Sequence, residues 1–122
     1  MTLKNSLYKI QDVKETTEGV SYSILMNREC PIYQAHFPSM PVTPGACIIQ
    51  MAGELLADFV KKDLQLMAVK NAKFISVLAP TDEVILVHLS AIKQEEGRIR
   101  AQAIVTGCSN TVYAKLSMAL TF

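Results

Sequence analysis

The sequence has almost no net charge, few cysteines and no long apolar run. Its twelve Lys and Arg nearly cancel its eleven Asp and Glu, which leaves a net charge of +1. This balance gives no electrostatic reason to expect nucleic acid or a membrane surface as the main partner. No apolar stretch approaches the ~20 residues of a membrane span, and residues 1–7 lack the apolar stretch of a signal peptide.

The cysteine and histidine content excludes two further classes. The three cysteines are widely spaced and odd in number, which favours free thiols in a reducing cytoplasm over a disulfide framework. Two histidines and three scattered cysteines give no metal-binding spacing. We therefore expect a cytoplasmic protein without a metal. Because half of the residues are hydrophobic and 19% are charged, we expect one globular domain over residues 1–122.

The apolar pattern predicts about six strands and one long helix. The helix, over residues 44–62, has Thr43 as N-cap and Pro44 at its first position. Residues 46–49 are apolar on nearly every side, which indicates a helix buried by surrounding structure. Because six strands are wider than one helix, we expect the sheet to curl around it and leave its edges to a second copy. The strands are predicted over residues 7–15, 20–27, 67–78, 84–93, 97–106 and 112–122.

The most informative stretch is residues 36–50, in which a histidine in a proline-rich loop precedes the helix. Four of the five prolines lie between Pro31 and Pro44, so we expect a stiff loop that is neither regular helix nor central strand. This loop would hold His36 as a base beside the first turn of the helix. There the backbone N–H groups of Gly45 and Ala46 can polarise a carbonyl and stabilise an enolate-like oxygen.

This stretch resembles the hot-dog-fold 3-hydroxyacyl-(acyl-carrier-protein) dehydratases of fatty acid synthesis. Their hallmark, His-Phe-Pro-Gly-x-Pro-Val-x-Pro-Gly, is matched at the same spacing by residues 36–45, with Ser39 in place of the first glycine. A second stretch, Ala72-Lys73-Phe74 followed by Pro80-Thr81-Asp82, is similar to that family's Lys-Ala-Arg-Phe and Pro-Gly-Asp pattern. The resemblance implies an α+β hot-dog fold, in which an antiparallel sheet curls around one central helix.

For function, the resemblance implies dehydration of a 3-hydroxyacyl thioester on acyl carrier protein to a trans-2-enoyl thioester. It implies a dimer and a reaction that needs no cofactor. His36 would move the proton at C2, while the helix N-terminus polarises the thioester carbonyl near Gly45 and Ala46. Phe37 and Pro44 would also contact the substrate.

The chain departs from this family at Gln50. The family places an acidic residue on the helix fourteen positions after the histidine, contributed across the dimer, and this chain has Gln50 there. A glutamine can hold a hydroxyl but cannot donate a proton at neutral pH. Glu54 stands about 6 Å further along the same helix face. Three alternatives follow: Glu54 supplies the acid from one turn away, His36 works alone while Gln50 orients the substrate, or the chain has lost catalysis.

Two other functions stay open on these residues. One is a non-catalytic acyl-binding subunit that pairs with an active homologue as a heterodimer, which Gln50 favours. The other is a hot-dog thioesterase, for which Glu54 is the only helix carboxylate well placed to activate water. Cys47 is interpreted as a small core residue and His88 as a surface or dimer contact. Candidates for the wall of an acyl tunnel are Met26, Met40, Met51 and Phe74.

A basic patch is a further candidate for contact with an acidic carrier protein. Its members are Lys70, Lys73, Arg98 and Arg100. A solvated strand face explains the same residues equally well.

Overall fold

Six antiparallel strands and one long helix dominate the computed structural model, which describes residues 2–35 and 39–122. The elements are β1 Tyr8–Glu15, β2 Gly19–Met26, α1 Pro31–Ala35, α2 Gly45–Val60, β3 Gln65–Phe74, β4 Ile85–Glu95, β5 Arg98–Gly107 and β6 Val112–Thr121. The strands form one sheet in the order β1-β2-β4-β5-β6-β3, and all neighbours are antiparallel. The predicted combination of six strands with one long helix is confirmed.

Irregularities in the strand pairing allow the sheet to curl. Register shifts interrupt four of the five ladders: β1–β2, β3–β6, β4–β5 and β5–β6. Such bulges bend a strand and increase its twist, so a sheet that contains them can follow the surface of a helix. One cluster of buried side chains joins α2 to β1, β2, β4, β5 and β6, whereas β3 contributes no buried residue to it.

Helix α2 packs one face against the sheet. Ala46 is exposed and Ile49 is half-buried, so the expectation that residues 46–49 are buried on nearly every side is wrong for the single chain. The sheet covers one face of α2, and the opposite face borders a groove. The buried helix residues are Ile48, Met51, Ala52, Leu55 and Leu56.

The start of α2 differs by one residue from the prediction. Pro44, with φ −60° and ψ 145°, is the N-cap, and Gly45 is the first helical residue. Thr43 is not the cap, because its buried hydroxyl pairs with the Tyr33 hydroxyl at 2.8 Å. Tyr33 belongs to α1, a five-residue helix within the stretch that was predicted to be loop. A proline is compatible with the first turn of a helix, so Pro31 begins this helix rather than preventing it.

Strand β3 ends four residues before its predicted end. After Phe74 the chain leaves β6, and the N–H groups of Ile75 and Ser76 both donate to the Tyr113 carbonyl. The carbonyl of Leu78 then accepts the Thr43 N–H at 2.8 Å. Residues 75–78 therefore brace the loop that enters α2 instead of extending the sheet.

The C-terminus of α2 generates a prediction about stability. Lys61 caps the helix with φ 60° and ψ 43°, and its N–H donates to the Ala57 carbonyl. This left-handed conformation costs a residue with a Cβ about 1 kcal/mol that glycine avoids. We expect Lys61→Gly to raise the free energy of unfolding in urea by about 1 kcal/mol.

Lys61→Ala is the matched control, because it removes the charged side chain but keeps the strained conformation. This variant should stay within about 0.5 kcal/mol of the unsubstituted protein. Equal stabilisation by both substitutions would assign the effect to the lysine side chain and contradict the prediction.

Candidate functional site

The first turn of α2 presents backbone N–H groups at the end of the loop over residues 39–44. Gly45 and Ala46 occupy the first two helical positions, and the N–H groups of Cys47 and Ile48 donate to the Pro44 carbonyl at 3.0 and 3.1 Å. The helix itself supplies no acceptor for the N–H groups of Gly45 and Ala46. Together with the positive end of the helix dipole, two such groups can polarise a carbonyl oxygen.

An aromatic ring lies against this helix start. A Cβ built on Gly45 would lie 2.9 Å from Cζ of Phe74 and 3.1 Å from its Cε2, so the absence of a side chain lets the ring approach. Phe74 is the last residue of β3 and is 49% exposed. It thus forms an apolar surface beside the N–H groups of the first helical turn.

The predicted base His36 and the predicted substrate contact Phe37 lie outside the described residues. On the N-terminal side of this gap, Tyr33 is buried and its hydroxyl pairs with Thr43. On the C-terminal side, the Thr43 N–H is held by Leu78. Both flanks of the loop are therefore fixed to the body of the protein close to Pro44.

The structure brings Gln50 and Glu54 together on the outer side of α2. The amide Nε2 of Gln50 donates to Glu54 Oε2 at 3.0 Å. The same carboxylate accepts the Leu3 N–H at 2.8 Å, the Lys4 N–H at 3.0 Å and the Tyr8 hydroxyl at 2.9 Å. A protonated carboxyl would have to donate one of its own hydrogen bonds, so four incoming donors fit an ionised carboxylate.

A second tyrosine holds the next carboxylate of the helix. The Tyr22 hydroxyl donates to Asp58 Oδ2 at 2.6 Å, and Lys4 Nζ lies 3.8 Å from Asp58 Oδ1. Burial and the hydrogen-bonded carboxylates raise the pKa of both Tyr8 and Tyr22 well above the ordinary value for a phenol. Both phenols therefore remain hydrogen-bond donors at every physiological pH.

A groove of about 770 Å³ runs along this side of α2. It contains Gln50 and Glu54, and Lys61 and Lys62 lie near its far end. Gly45 precedes Gln50 by five residues, which corresponds to about 7.5 Å along the helix axis. The groove is lined by Thr2, Lys4, Ile49, Gln50, Gly53, Glu54, Ala57, Asp58, Lys61, Lys62, Asp63, Leu64, Leu66 and Leu120.

The two tyrosines and the backbone of Leu3 and Lys4 are missing from the sequence-based set of site residues. The sequence carries a signal for the tyrosines, because each stands on the core-facing side of a strand. A buried tyrosine hydroxyl usually finds a hydrogen-bond partner, and Glu54 and Asp58 lie one turn apart on the helix that the strands must cover. No comparable signal exists for the two backbone N–H groups.

Two other predicted residues lie away from this groove. His88 is on the sheet face opposite the buried Val87 and Leu89, and its Nδ1 pairs with Ser21 Oγ at 2.7 Å. Cys47 is half-buried, and burial raises the pKa of its thiol. A raised thiol pKa fits a packed side chain better than a reactive one.

Within residues 2–35 and 39–122, no group of three or more His, Cys, Asp or Glu side chains is arranged to hold a metal ion. In that same part of the chain, no helix has both the length and the apolar character needed to span a membrane.

Comparison with known proteins adds a family match and a relative of similar sequence. The family model described as ApeI dehydratase, ApeI-like, matches residues 11–114. The 3-hydroxyacyl-(acyl-carrier-protein) dehydratase FabZ of Lactiplantibacillus plantarum is 34% identical over 82 residues. That alignment covers 60% of this chain and 55% of the relative, so the chain spans about half the length of this curated relative.

Solved structures of other proteins share the fold of this chain. The dehydratase heterocomplex ApeI:P from Xenorhabdus doucetiae superposes with a TM-score of 0.73 at 11% identity, covering 93% of this chain and 97% of the other. A hypothetical thioesterase protein with coenzyme A from Streptococcus pneumoniae gives a TM-score of 0.67 at 10% identity, covering 93% of this chain and 84% of the other. At such low identity these likenesses concern the fold alone, and they confirm the predicted hot-dog architecture.

The tyrosine–carboxylate pairs make the stability of the fold sensitive to alkaline pH. The pKa of Tyr8 and Tyr22 is raised in the folded state, so the unfolded chain loses these protons first as the pH rises above about 10. The stability that the neutral phenols contribute is therefore complete below about pH 10 and declines progressively as the pH rises above it. We expect the free energy of unfolding to fall there by up to about 1.4 kcal/mol per pH unit for each tyrosine.

Urea titrations between about pH 8 and pH 11 measure this fall across the phenol range. The double variant Tyr8→Phe with Tyr22→Phe should show a shallower decline than the unsubstituted protein, because phenylalanine does not titrate. Identical slopes in the two proteins would rule out the assigned cause.

Proposed function

Because the chain belongs to the ApeI-like dehydratase family, we propose that it removes water from a 3-hydroxyacyl thioester on acyl carrier protein and gives a trans-2-enoyl thioester. The start of α2 carries this proposal. Gly45 and Ala46 occupy the first two helical positions, where the helix offers no acceptor for their N–H groups, and the apolar ring of Phe74 lies against Gly45. This is an arrangement that suits a thioester carbonyl with an acyl chain attached.

In the proposed reaction His36 takes a proton from C2 of the substrate. The electron pair of the broken C–H bond moves towards the thioester carbonyl, whose oxygen accepts hydrogen bonds from Gly45 and Ala46. The C3–O bond then breaks, a double bond forms between C2 and C3, and the leaving hydroxyl gains a proton and departs as water. Loss of water causes no net oxidation or reduction of the substrate, so the reaction needs no cofactor.

The donors around Glu54 indicate which group protonates the leaving hydroxyl. Four hydrogen bonds point at its carboxylate, which supports an ionised, fixed group rather than a proton donor. We therefore favour the alternative in which His36 returns the proton to the leaving hydroxyl while Gln50 holds that hydroxyl. This assigns proton transfer to one residue and orientation to the other.

The carrier protein is proposed as the bearer of the substrate. The curated relative from Lactiplantibacillus plantarum is named for an acyl-carrier-protein substrate. Of the basic residues considered for carrier contact, Arg100 already pairs with Glu95 at 2.8 Å. Lys70 and Lys73 are exposed on β3, which makes them the better candidates for contact with an acidic carrier.

A second copy of the chain is proposed to pair along β3. This strand forms one edge of the sheet and has no buried residue, although it is followed by exposed apolar side chains. Leu66, Met67 and Phe74 are each about half exposed, and Ile75 and Val77 more so. An edge with apolar side chains is a template for strand pairing, so we place the proposed dimer contact at this edge rather than at β1.

The oligomeric state tests that edge directly. Light scattering on the purified protein should give twice the chain mass, and Met67→Lys with Ile75→Lys should reduce it to the monomer mass, because charges on an edge oppose pairing. Val13→Lys is the control, since Val13 is exposed on β1 at the opposite edge. A monomeric unsubstituted protein, or dissociation by Val13→Lys, would contradict this assignment.

Turnover tests the proposed reaction. The protein is incubated with a short 3-hydroxyacyl thioester on acyl carrier protein, and mass spectrometry follows the loss of one water. We expect enoyl product, and a rate at least about 100-fold lower for His36→Ala, the scale of general acid–base catalysis. His88→Ala is the matched control, because it removes the chain's other histidine, which lies on the sheet face that points away from the core.

Other outcomes of the same assay distinguish the alternative functions. Release of free acid would establish a thioesterase and overturn the dehydratase proposal. Failure to turn over, combined with retained binding of acyl thioester, would favour the partner-subunit alternative. That alternative is the second candidate, because Gln50 replaces the acidic residue and one structural neighbour is a dehydratase heterocomplex.

A further inference from the structure

Basic side chains concentrate on the outer face of the sheet, which points away from α2. Residues opposite each other in an antiparallel ladder lie on one face, so the strand registers assign each side chain to a face. Of the eleven acidic residues, the ladders place only Asp12 and Glu95 on the outer face. Of the twelve Lys and Arg, they place seven there, all of them exposed: Lys9, Lys14, Lys73, Lys93, Arg98, Arg100 and Lys115.

One row of side chains on this face crosses all six strands, and we call it the lysine row. Each member lies opposite the next, in the order Lys14, Ser21, His88, Ile104, Lys115 and Lys73. At about 4.8 Å per strand the row is about 24 Å long. It contains three lysines and no acidic residue. A second basic group, Lys93 with Arg100, lies four residues from the row along β5, a distance of about 13 Å.

Two pairs on the outer face place like charges directly opposite each other. Lys73 is opposite Lys115, and Lys93 is opposite Arg100. Such pairs destabilise a sheet. Among residues 2–35 and 39–122, the only ion pair on this face joins Arg100 to Glu95 at 2.8 Å, so the lysine row has no acidic partner there. The fold is not stabilised by this arrangement, whereas an anionic partner would be attracted by it.

The spacing of the charges fits an acidic α-helix that lies across the strands. Neutral polar side chains separate the lysine row from the second basic group: Ser90, Gln102, Ser117 and Asn71. A helix with its side chains is about 10–12 Å wide, so acidic residues on its two flanks reach both basic groups. The helix pitch of about 5.4 Å is close to the strand spacing of about 4.8 Å. One acidic residue per turn therefore meets about one strand.

Other anionic partners match the shape of this face less well. A six-stranded sheet is too broad to enter the major groove of duplex DNA, which is about 12 Å wide. The outer face of a sheet that wraps a helix is convex, so a flat membrane surface would touch it only along its crest. The outer face also shows no exposed aromatic side chain among the described residues, on which single-stranded nucleic acid would stack.

We propose that the outer face of the sheet is a docking surface for a partner protein that presents an acidic helix, which lies across the strands along the lysine row. This inference does not depend on the proposed reaction, because it uses no residue of α2. A second copy paired along β3 leaves the face open, since strand pairing uses the backbone groups of the sheet edge.

Binding of a designed peptide tests the surface. The probe is a labelled helical peptide of about 16 residues, as long as the lysine row, with glutamates on its two flanks. Fluorescence anisotropy should show binding that weakens as salt is added. We expect Lys14→Gln with Lys115→Gln to raise the Kd about tenfold, because two charge contacts are lost. Neither lysine belongs to the carrier contact proposed above, so either assignment can fail without the other.

Lys61→Gln with Lys62→Gln is the matched control. It removes the same amount of charge, but both lysines follow the end of α2 and border the groove. The Kd should change less than about twofold. Equal losses in the two double variants would reduce the effect to net charge and overturn the docking surface. A peptide of the same charge with two central prolines cannot form the helix, and equal binding of that peptide would overturn the proposed helical partner.

Duplex DNA and vesicles of phosphatidylserine are tested with the same proteins. Both should bind more weakly than the helical peptide. Tighter binding of either probe, lost in Lys14→Gln with Lys115→Gln, would assign the face to that class of partner and overturn the proposal.

Thermal unfolding separates docking from a structural role. Lys115→Gln removes the repulsion with Lys73, so its melting temperature should rise by about 2 °C, while the Kd for the peptide also rises. A lower melting temperature would make Lys115 a residue that stabilises the sheet and would contradict its assignment to a partner.

Discussion

Two buried tyrosine hydroxyls decide how α2 sits on the sheet. Tyr8 and Tyr22 enter the core from adjacent edge-side strands, and each is about 1% exposed. A hydroxyl buried without a partner is costly, and Glu54 and Asp58 satisfy these two. Because the carboxylates are one helical turn apart, this pairing fixes both the rotation and the axial position of α2.

The arrangement of side chains along α2 follows from that placement. With Glu54 and Asp58 turned to the tyrosines, Gln50 lies on the same side, one turn nearer the helix start. Ile48, Met51 and Leu55 face the core instead. The first turn then meets Phe74 at the end of β3. The way α2 packs on the sheet therefore sets both the tyrosine–carboxylate contacts along the helix and the contact between Gly45 and Phe74 at its start.

Local patterns predicted the elements well and their ends less well. Alternation along β6 and the apolar stripe of α2 depend on neighbours in sequence, and these elements were found where expected. Thr43 was predicted as a cap because it precedes Pro44, but the hydroxyl of Tyr33 competes for it. The end of β3 was misplaced because Leu78 pairs with Thr43, a contact that no local pattern contains.

The sequence alone determined the order of the six strands and the long helix, the motif over residues 36–45 and the likeness to hot-dog dehydratases, since each depends on residue types at short, fixed spacing. It also located Gln50 and Glu54 on one helix face. Only the tertiary structure decided which groups surround Glu54, because three of its four donors come from 46 to 51 positions away. The register of β1 and the turn of the N-terminal segment bring those donors together, and the sequence pattern of α2 predicts neither of them. A carboxylate's role depends on the groups that surround it, and here the fold supplies those groups.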